Sequence, residues 1–378
     1  MELKRFRSEI EILKKWKIWP ENESELKYAL KVTLQYSIIT FPLLIGVINN
    51  IYHLLTENLP FKEILVNSVV PLTSINIFYS TPLLAISARK ISKHLYELED
   101  FTRFGIPSNH KKNLDILNKL IDFFRWSVRI GIILCTLIGY ITQEKCKSKQ
   151  LVSKLSTCGL FIDVRYEFDV HKSPIFEVYL IYQCVSLCIS YDIAVHVGCL
   201  ISVGNLVLCN MLDHLKSMIC DGFTKEFNKK TLIECIQYHV HIIRLCDQHN
   251  QNFKQIVLVL MLSLHIFIGV PAFVFIMTFD LKALVILFCW IIGLGLGPYL
   301  GQLLIDKSTE ISYVIYDVNW YDLDVKTQKL IYFIILNAQK ELKCTSSNSL
   351  YTLNFEAIKQ TLIGAYNYIA LLYTLLNK

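Results

Sequence analysis

The residues best placed to do chemistry are ionisable groups inside long apolar stretches. Asp192 and His196 stand four residues apart, which places both on one face of a helix, where they can pair. Burying such groups in hydrocarbon is costly, so each is a functional candidate. Two interpretations stay open, a polar site facing a cavity and a structural pair that fixes helix orientation, and we favour the second. We likewise interpret His265 as a packed, hydrogen-bonded group, and Arg125 and Arg129 as side chains that extend to the membrane interface.

No pattern typical of an enzyme is present. The sequence has no nucleophile elbow, no phosphate-binding glycine loop and no intramembrane carboxylate pair. Most of the 12 cysteines lie in apolar stretches and none shows CxxC spacing, so we predict no metal site and no cofactor. Cys146 and Cys158 share a hydrophilic loop, and whether they form a disulfide stays open.

Aromatic and small polar residues gather in the outer halves of three apolar stretches. A pocket of this makeup would suit a small, mostly apolar ligand held by packing and one or two hydrogen bonds. Ordinary aromatic packing is the competing interpretation. The pocket candidates are Ser74, Phe78, Thr136, Tyr140, Tyr179, Tyr182 and Ser186.

The elements that carry these residues are predicted to be membrane-spanning helices. Hydrophobic residues make up 53% of the chain and charged residues 19%, and the apolar residues form long runs instead of helical stripes. A helix needs roughly 20 apolar residues to cross the hydrocarbon core. We therefore predict an all-α membrane protein with seven transmembrane helices. The predicted spans are 32–54, 64–87, 123–142, 175–208, 255–279, 283–304 and 354–376, with a polar helical segment at 305–343 before the last.

Lysine and arginine are concentrated before the first span and in alternate loops, while the opposite loops are poor in them apart from 143–174. The positive-inside rule then predicts a cytoplasmic N-terminus and an extracellular C-terminus. The basic residues lie beside spans and form no stripe with interleaved aromatics, so we predict no nucleic-acid partner. The domain prediction is a cytoplasmic amphipathic segment over 1–31, six spans with the pocket over 32–304, and an anchor helix with the last span over 305–378.

The last seventy residues resemble the C-terminal signature of insect odorant receptors. The matching positions are Ser308, Tyr316, Asn319, Trp320, Tyr321, Ala338, Gln339, Lys340, Leu342, Lys343, Phe355, Tyr366 and Tyr368. The rest of the chain agrees with this family in layout: inverted seven-span topology, a basic N-terminal helix and a long outer loop.

The resemblance implies a ligand-gated, non-selective cation channel in the plasma membrane of olfactory sensory neurons, with four subunits that each contribute the last span to a central pore. It implies small volatile ligands and a shared odorant co-receptor subunit as partner in a hetero-tetramer. The loop at 209–254 lacks the co-receptor's long insertion, so the chain resembles a ligand-tuned subunit. The family's hydrophobic pore constriction falls on Leu371 and Leu375, with Thr374 beside them.

The alternative is a metabotropic chemoreceptor that signals through a G protein. Such a receptor needs an extracellular N-terminus, and the Asp-Arg-Tyr and Asn-Pro-x-x-Tyr motifs that it usually carries are missing here. A transporter would predict internal repeats and paired broken helices, which the sequence does not show.

Overall fold

The computed structural model of the chain describes residues 83–150, 173–224 and 229–376, together with positions 14, 27, 28, 30–35, 37, 48, 52 and 56. Within helices, the side chains of 142–150, 190, 192–194, 224, 278, 375 and 376 fall outside this description. Helix α1 covers 83–98. The later helices are α2 (His110–Gln150), α3 (Ile175–Thr224), α4 (Lys229–Thr278), α5 (Leu281–Leu294), α6 (Leu296–Tyr316), α7 (Val325–Ala338) and α8 (Phe355–Leu376). A short 3-10 helix (Ser347–Ser349) precedes α8.

Three helices begin at a side chain that accepts a hydrogen bond from the exposed backbone of the first turn. Asp280 accepts from the Lys282 N–H at 2.9 Å before α5. Asp324 accepts from the Thr327 N–H at 3.3 Å before α7, and Asn354 accepts from the Ala357 N–H at 3.0 Å before α8. Asp and Asn are favoured at this position because they satisfy a backbone donor that has no partner inside the helix.

Helix α3 forms the centre of the described part of the chain. In the most apolar window of Val195–Phe223, 89% of residues are buried, against 22% in that of Leu281–Tyr316. Two ion pairs, Lys216 with Glu310 and Lys307 with Asp213, join α3 to α6. The remaining faces of α3 pack against α2 and α4. Helix α3 is thus shielded on several sides, whereas α5, where only Ala283 and Leu294 are buried, lies at the periphery.

Three helices in the described ranges are long and apolar enough to cross a membrane: Val195–Phe223, Lys229–Met277 and Leu281–Tyr316. Apart from short described pieces, the first predicted span, and most of the second, fall outside the described residues. The all-α prediction is confirmed.

Helices α3 and α4 are longer than predicted. The stretch 209–254, interpreted as a loop, is helical wherever the structure describes it, which excludes 225–228. Tyr238, Ile242, Leu245 and Phe253 are buried at helical spacing, so these turns are amphipathic extensions of the spans. The sequence prediction of a loop here rested on the charged residues of their exposed faces.

The sixth span and the polar segment after it are also interrupted. Gly295, whose backbone keeps helical angles (φ −80°, ψ −35°), is the single turn residue between α5 and α6. Residues 317–324 separate α6 from α7. The Trp320 indole N–H donates to the Tyr316 carbonyl at 3.2 Å, which satisfies a backbone acceptor where α6 ends. The polar segment predicted as helical over 305–343 is therefore the end of α6, a turn, α7 and a non-helical stretch.

Candidate ligand pocket and pore helix

The predicted pocket is partly described. Tyr179 and Tyr182 lie on α3, half-buried, with ring centroids 6.3 Å apart. Ser186 is buried one turn further along the same helix, beside the fully buried Gln183. The structure thus gathers the α3 candidates on one part of the helix, while Ser74 and Phe78 lie outside the described residues.

The two α2 candidates differ from those on α3. The Thr136 hydroxyl donates to the Ile132 carbonyl of its own helix at 2.8 Å, and the Tyr140 side chain is 54% exposed. The described packing between α2 and α3 centres on Val128, Ile132 and Leu187. Thr136 therefore has its hydrogen bond satisfied locally, and Tyr140 keeps most of its ring free of described neighbours.

An aromatic group that sequence reasoning missed joins three helices. The ring of Trp290 in α5 stacks on Phe267 of α4 at 4.4 Å between centroids and lies 5.7 Å from Tyr191 of α3. Aromatic pairs at these separations stabilise beyond the area that they bury. Each ring lies in a predicted span, but nothing in their spacing indicates that they meet.

The other ionisable candidates are structural where they are described. His265 Nδ1 lies 2.7 Å from the Met261 carbonyl, which agrees with a packed, hydrogen-bonded group. His196 is fully buried, but the Asp192 side chain is outside the description, so their pairing stays a prediction. Arg125 forms an ion pair with Asp122 at 3.1 Å, and Arg129 lies over the Trp126 ring at 5.6 Å.

The described residues contain no group of three or more potential metal ligands among His, Cys, Asp and Glu. Ten cysteines are described, and all of them are free thiols. Cys146 lies in the last turns of α2, but its side chain falls outside the description, as does the whole of Cys158, so their disulfide stays untested.

Helix α8 is attached to the rest of the chain along one side. Ala357, Thr361, Ala365 and Leu372 are buried at helical spacing, and Leu372 packs on Phe273 of α4. Most of the other described residues of α8 are exposed or half-buried, and Leu371 is 55% exposed. The Thr374 hydroxyl donates to the Leu371 carbonyl at 2.8 Å. The side chain of Leu375 lies outside the description.

Several of the signature residues lie in the segments that lead into this helix. Ser308 is buried in α6, donates to the Ile305 carbonyl at 2.8 Å and accepts from the Leu342 N–H at 3.0 Å. The rings of Tyr316 and Trp320 lie 6.4 Å apart at the end of α6. Tyr368 packs against α4, whereas Tyr366 is 70% exposed. Ser308 thus fixes the stretch that leads from α7 to α8.

That stretch also bonds to α4. Thr345 and Thr352 form an isolated antiparallel bridge, and Asn250 of α4 bonds to Thr345 through both its amide atoms. At Gly301 of α6, a Cβ would lie 2.0 Å from the Leu353 carbonyl oxygen. Only glycine permits this approach of the backbone that enters α8.

These features define an all-α, multi-span membrane protein whose last helix is packed along one side and uncovered along the other. The family described as 7tm Odorant receptor matches residues 60–366. The chain therefore belongs to the 7tm odorant receptor family, which confirms the resemblance in its C-terminal region.

Curated relatives and solved structures agree with this assignment. The chain is 24% identical to Odorant receptor 30a of Drosophila melanogaster over 63% of each chain. It is 29% identical to Odorant receptor 22c of the same species over 41% of this chain and 40% of that one. The matches thus span less than two thirds of these relatives' lengths.

The fold is similar to that of the insect olfactory receptor OR5 from Machilis hrabei. The structure of that receptor in complex with eugenol covers 98% of this chain and 97% of its own, with a TM-score of 0.78 at 16% identity. Its structure without a named ligand gives a TM-score of 0.75 at 15% identity. Similarity at this level of identity shows that the fold is shared.

Proposed function

We propose that the chain is the ligand-tuned subunit of a ligand-gated, non-selective cation channel that detects small volatile molecules. It assembles with an odorant co-receptor subunit as a hetero-tetramer in the plasma membrane of olfactory sensory neurons. Family membership supports this proposal, and one structural observation carries it. Helix α8 packs on its own subunit along one stripe and leaves its other faces uncovered, as expected of a helix that contacts other subunits and lines a shared pore.

In this proposal the N-terminus and the segment 1–31 are cytoplasmic and the C-terminus is extracellular. The region 32–304 holds the pocket, and the region 305–378 supplies an anchor and the pore helix. Rings of Leu371 and Leu375, one helical turn apart, close the pore by excluding water, with Thr374 beside them. An apolar gate of this kind conducts only when the α8 helices move apart.

The ligand binds among the outer halves of the second, third and fourth spans, where Ser74, Phe78, Thr136, Tyr140, Tyr179, Tyr182 and Ser186 are the candidates. It opens the channel only if it binds the open state more tightly than the closed one. A shift from 1:99 to 99:1 in favour of the open state needs roughly 10⁴-fold tighter binding to it. Pocket residues that differ in position between the two states must supply that difference.

The test is whole-cell current from cells that express this chain with and without an insect co-receptor, with G-protein signalling blocked. A panel of volatiles that includes eugenol, the ligand of the Machilis hrabei receptor, is applied. Rapid cation current that requires the co-receptor and survives the block supports the proposal. Responses that disappear under the block would favour a metabotropic receptor instead.

A further inference from the structure

Helices α4 and α8 pack closely at two glycines. The space that each glycine leaves is occupied by an aromatic ring from the other helix. At Gly364 of α8, a Cβ would lie 2.3 Å from Cδ2 and 3.0 Å from Nε2 of His265. At Gly269 of α4, a Cβ would lie 3.1 Å from Cδ1 of Tyr368. We call these four residues the double notch.

The double notch has a regular register. His265 and Gly269 are one turn apart on α4, and Gly364 and Tyr368 are one turn apart on α8. The pairs follow the same order along both helices, so α4 and α8 run in the same direction where they touch. Each helix therefore offers one ring and one gap, and sliding or rotating α8 would force a ring out of its gap.

The His265 ring is held from two other sides. Its Nδ1 lies 2.7 Å from the Met261 carbonyl oxygen. Because a carbonyl oxygen can only accept, Nδ1 carries the proton and its N–H donates a hydrogen bond to that oxygen. Its ring centroid lies 5.8 Å from that of Tyr351, in the stretch that leads into α8. The backbone at Gly364 thus rests on a side chain whose orientation is fixed.

The flanking residues on α8 extend the same close contact. A Cβ at Gly269 would also lie 3.4 Å from the Ala365 carbonyl oxygen, and Ala365 packs in a cluster with Ile268 and Leu294. Packed interfaces of this kind shift between discrete arrangements and do not deform continuously.

We infer that the double notch is the element that couples α4 to the pore helix, with His265 and Gly364 as positioning residues for gating. The inference rests on the proposed channel function. An added methyl group at Gly364 pushes α8 away from α4, towards the middle of the assembly, which opposes the separation of the α8 helices that opens the pore. The ligand must then supply additional free energy to open the channel.

The test is a double-mutant cycle with Gly364→Ala, His265→Ala and the double variant, expressed with the co-receptor. Gly297→Ala is the matched control, since a Cβ there has no neighbour within 4 Å. Two quantities are measured. The first is the thermal unfolding midpoint of the purified chain. The second is the concentration of eugenol, or of another volatile from the panel, that gives half-maximal current at matched surface expression.

Overpacking a tight contact is destabilising, so we expect Gly364→Ala to raise the half-maximal concentration roughly tenfold. The double variant should lie closer to wild type than Gly364→Ala, because the space for the methyl group is restored. Gly297→Ala should change neither quantity by more than about twofold or a few degrees.

Additive effects on the unfolding midpoint would overturn the contact itself. A midpoint that shows coupling while the half-maximal concentration stays at its wild-type value in Gly364→Ala would overturn the gating role and leave only packing. Absence of current in wild type would overturn the proposed channel function, and with it the gating role, and the unfolding cycle would then measure the contact alone.

Discussion

The side chain of Asn250 in α4 forms hydrogen bonds with both the backbone N–H and the hydroxyl of Thr345. The Thr345 N–H donates to Asn250 Oδ1 at 2.8 Å, and Asn250 Nδ2 donates to Thr345 Oγ1 at 3.0 Å. These bonds connect two residues that are 95 positions apart in sequence. They fix the stretch between α7 and α8 to the long helix that α8 packs on, so α8 is tied to α4 at its base as well as along its length.

Asn250→Ala should therefore weaken the attachment of α8. The change leaves the N–H of the buried Thr345 without its acceptor, and an unmade hydrogen bond of this kind costs about 1–3 kcal/mol. We expect a lower thermal unfolding midpoint in detergent, measured by fluorescence-detected size exclusion. Asn337→Ala is the control, because that exposed amide bonds only within its own helix, to the Phe333 carbonyl. Equal midpoints for the two variants would contradict the anchoring role of Asn250.

Ser308→Ala should be destabilising for a related reason. The Ser308 hydroxyl is buried and accepts from the Leu342 N–H, and alanine leaves that donor without a partner at a cost of about 1–3 kcal/mol. Ser217→Ala removes an exposed hydroxyl that bonds to its own helix and should change stability little. The readout is the unfolding midpoint together with surface expression, and a Ser308→Ala chain as stable as Ser217→Ala would refute this account.

Gly301→Ala should be the most damaging of the small substitutions. A Cβ at this position meets the Leu353 carbonyl carbon at 2.8 Å as well as its oxygen, and backbone atoms cannot swing aside as a side chain can. Gly295→Ala, whose Cβ has open space, is the control for the change in helix propensity. We expect Gly301→Ala to reduce the surface-expressed fraction severalfold, measured by antibody labelling of a tag, while Gly295→Ala stays near wild type. Similar surface expression of the two variants would contradict the close approach of α6 to the Leu353 backbone.

Stability should fall in mild acid because of His94. Burial lowers the pKa of this side chain from 6.5 to about 4, and His94 Nε2 lies 3.2 Å from Nδ1 of the buried His249. The unfolded chain binds a proton at His94 below pH 6.5 and the folded chain does not, so the stabilising contribution is complete above pH 6.5 and is lost as the pH falls towards 4.

A shift of this size corresponds to a contribution on the order of 3 kcal/mol across that window. The measurement is the unfolding midpoint between pH 7 and pH 4.5, in wild type and in His94→Gln, which cannot titrate. We expect a shallower pH dependence in His94→Gln. An unchanged slope would assign the acid sensitivity to other groups.

The sequence was most informative where one physical constraint dominates. Long apolar runs indicate spans because the bilayer sets their length, and α2 to α6 contain the predicted stretches. The helical turns at 209–254 were missed because an amphipathic extension with a charged face resembles a loop in a search for apolar runs. Buried Tyr238, Ile242 and Leu245 carried the missing signal in their helical spacing.

Contacts between distant positions were not predictable from one sequence. Ser308 was identified through the family signature alone, and its bond to Leu342 depends on how the chain returns from α7. The partners of Gly301 and Gly364 are likewise set by tertiary packing. The glycines themselves indicate close approach, but nothing in the sequence names Leu353 or His265 as the neighbour. The pocket and gate assignments remain predictions.

The most direct test of the central claim, that α8 lines a cation pore, compares Leu371→Ser with Leu362→Ser. Both leucines are exposed on α8, at 55% and 47%. Nine residues separate them, which is two and a half helical turns, so they lie on opposite sides of the helix and only one can face the pore. The measurement is ligand-free current and the reversal potential under exchange of external Na⁺ for Ca²⁺, in cells that also express the co-receptor. The account predicts larger ligand-free current and a shifted reversal potential for Leu371→Ser, with wild-type values for Leu362→Ser. Wild-type values for Leu371→Ser, or the same change in both variants, would contradict it.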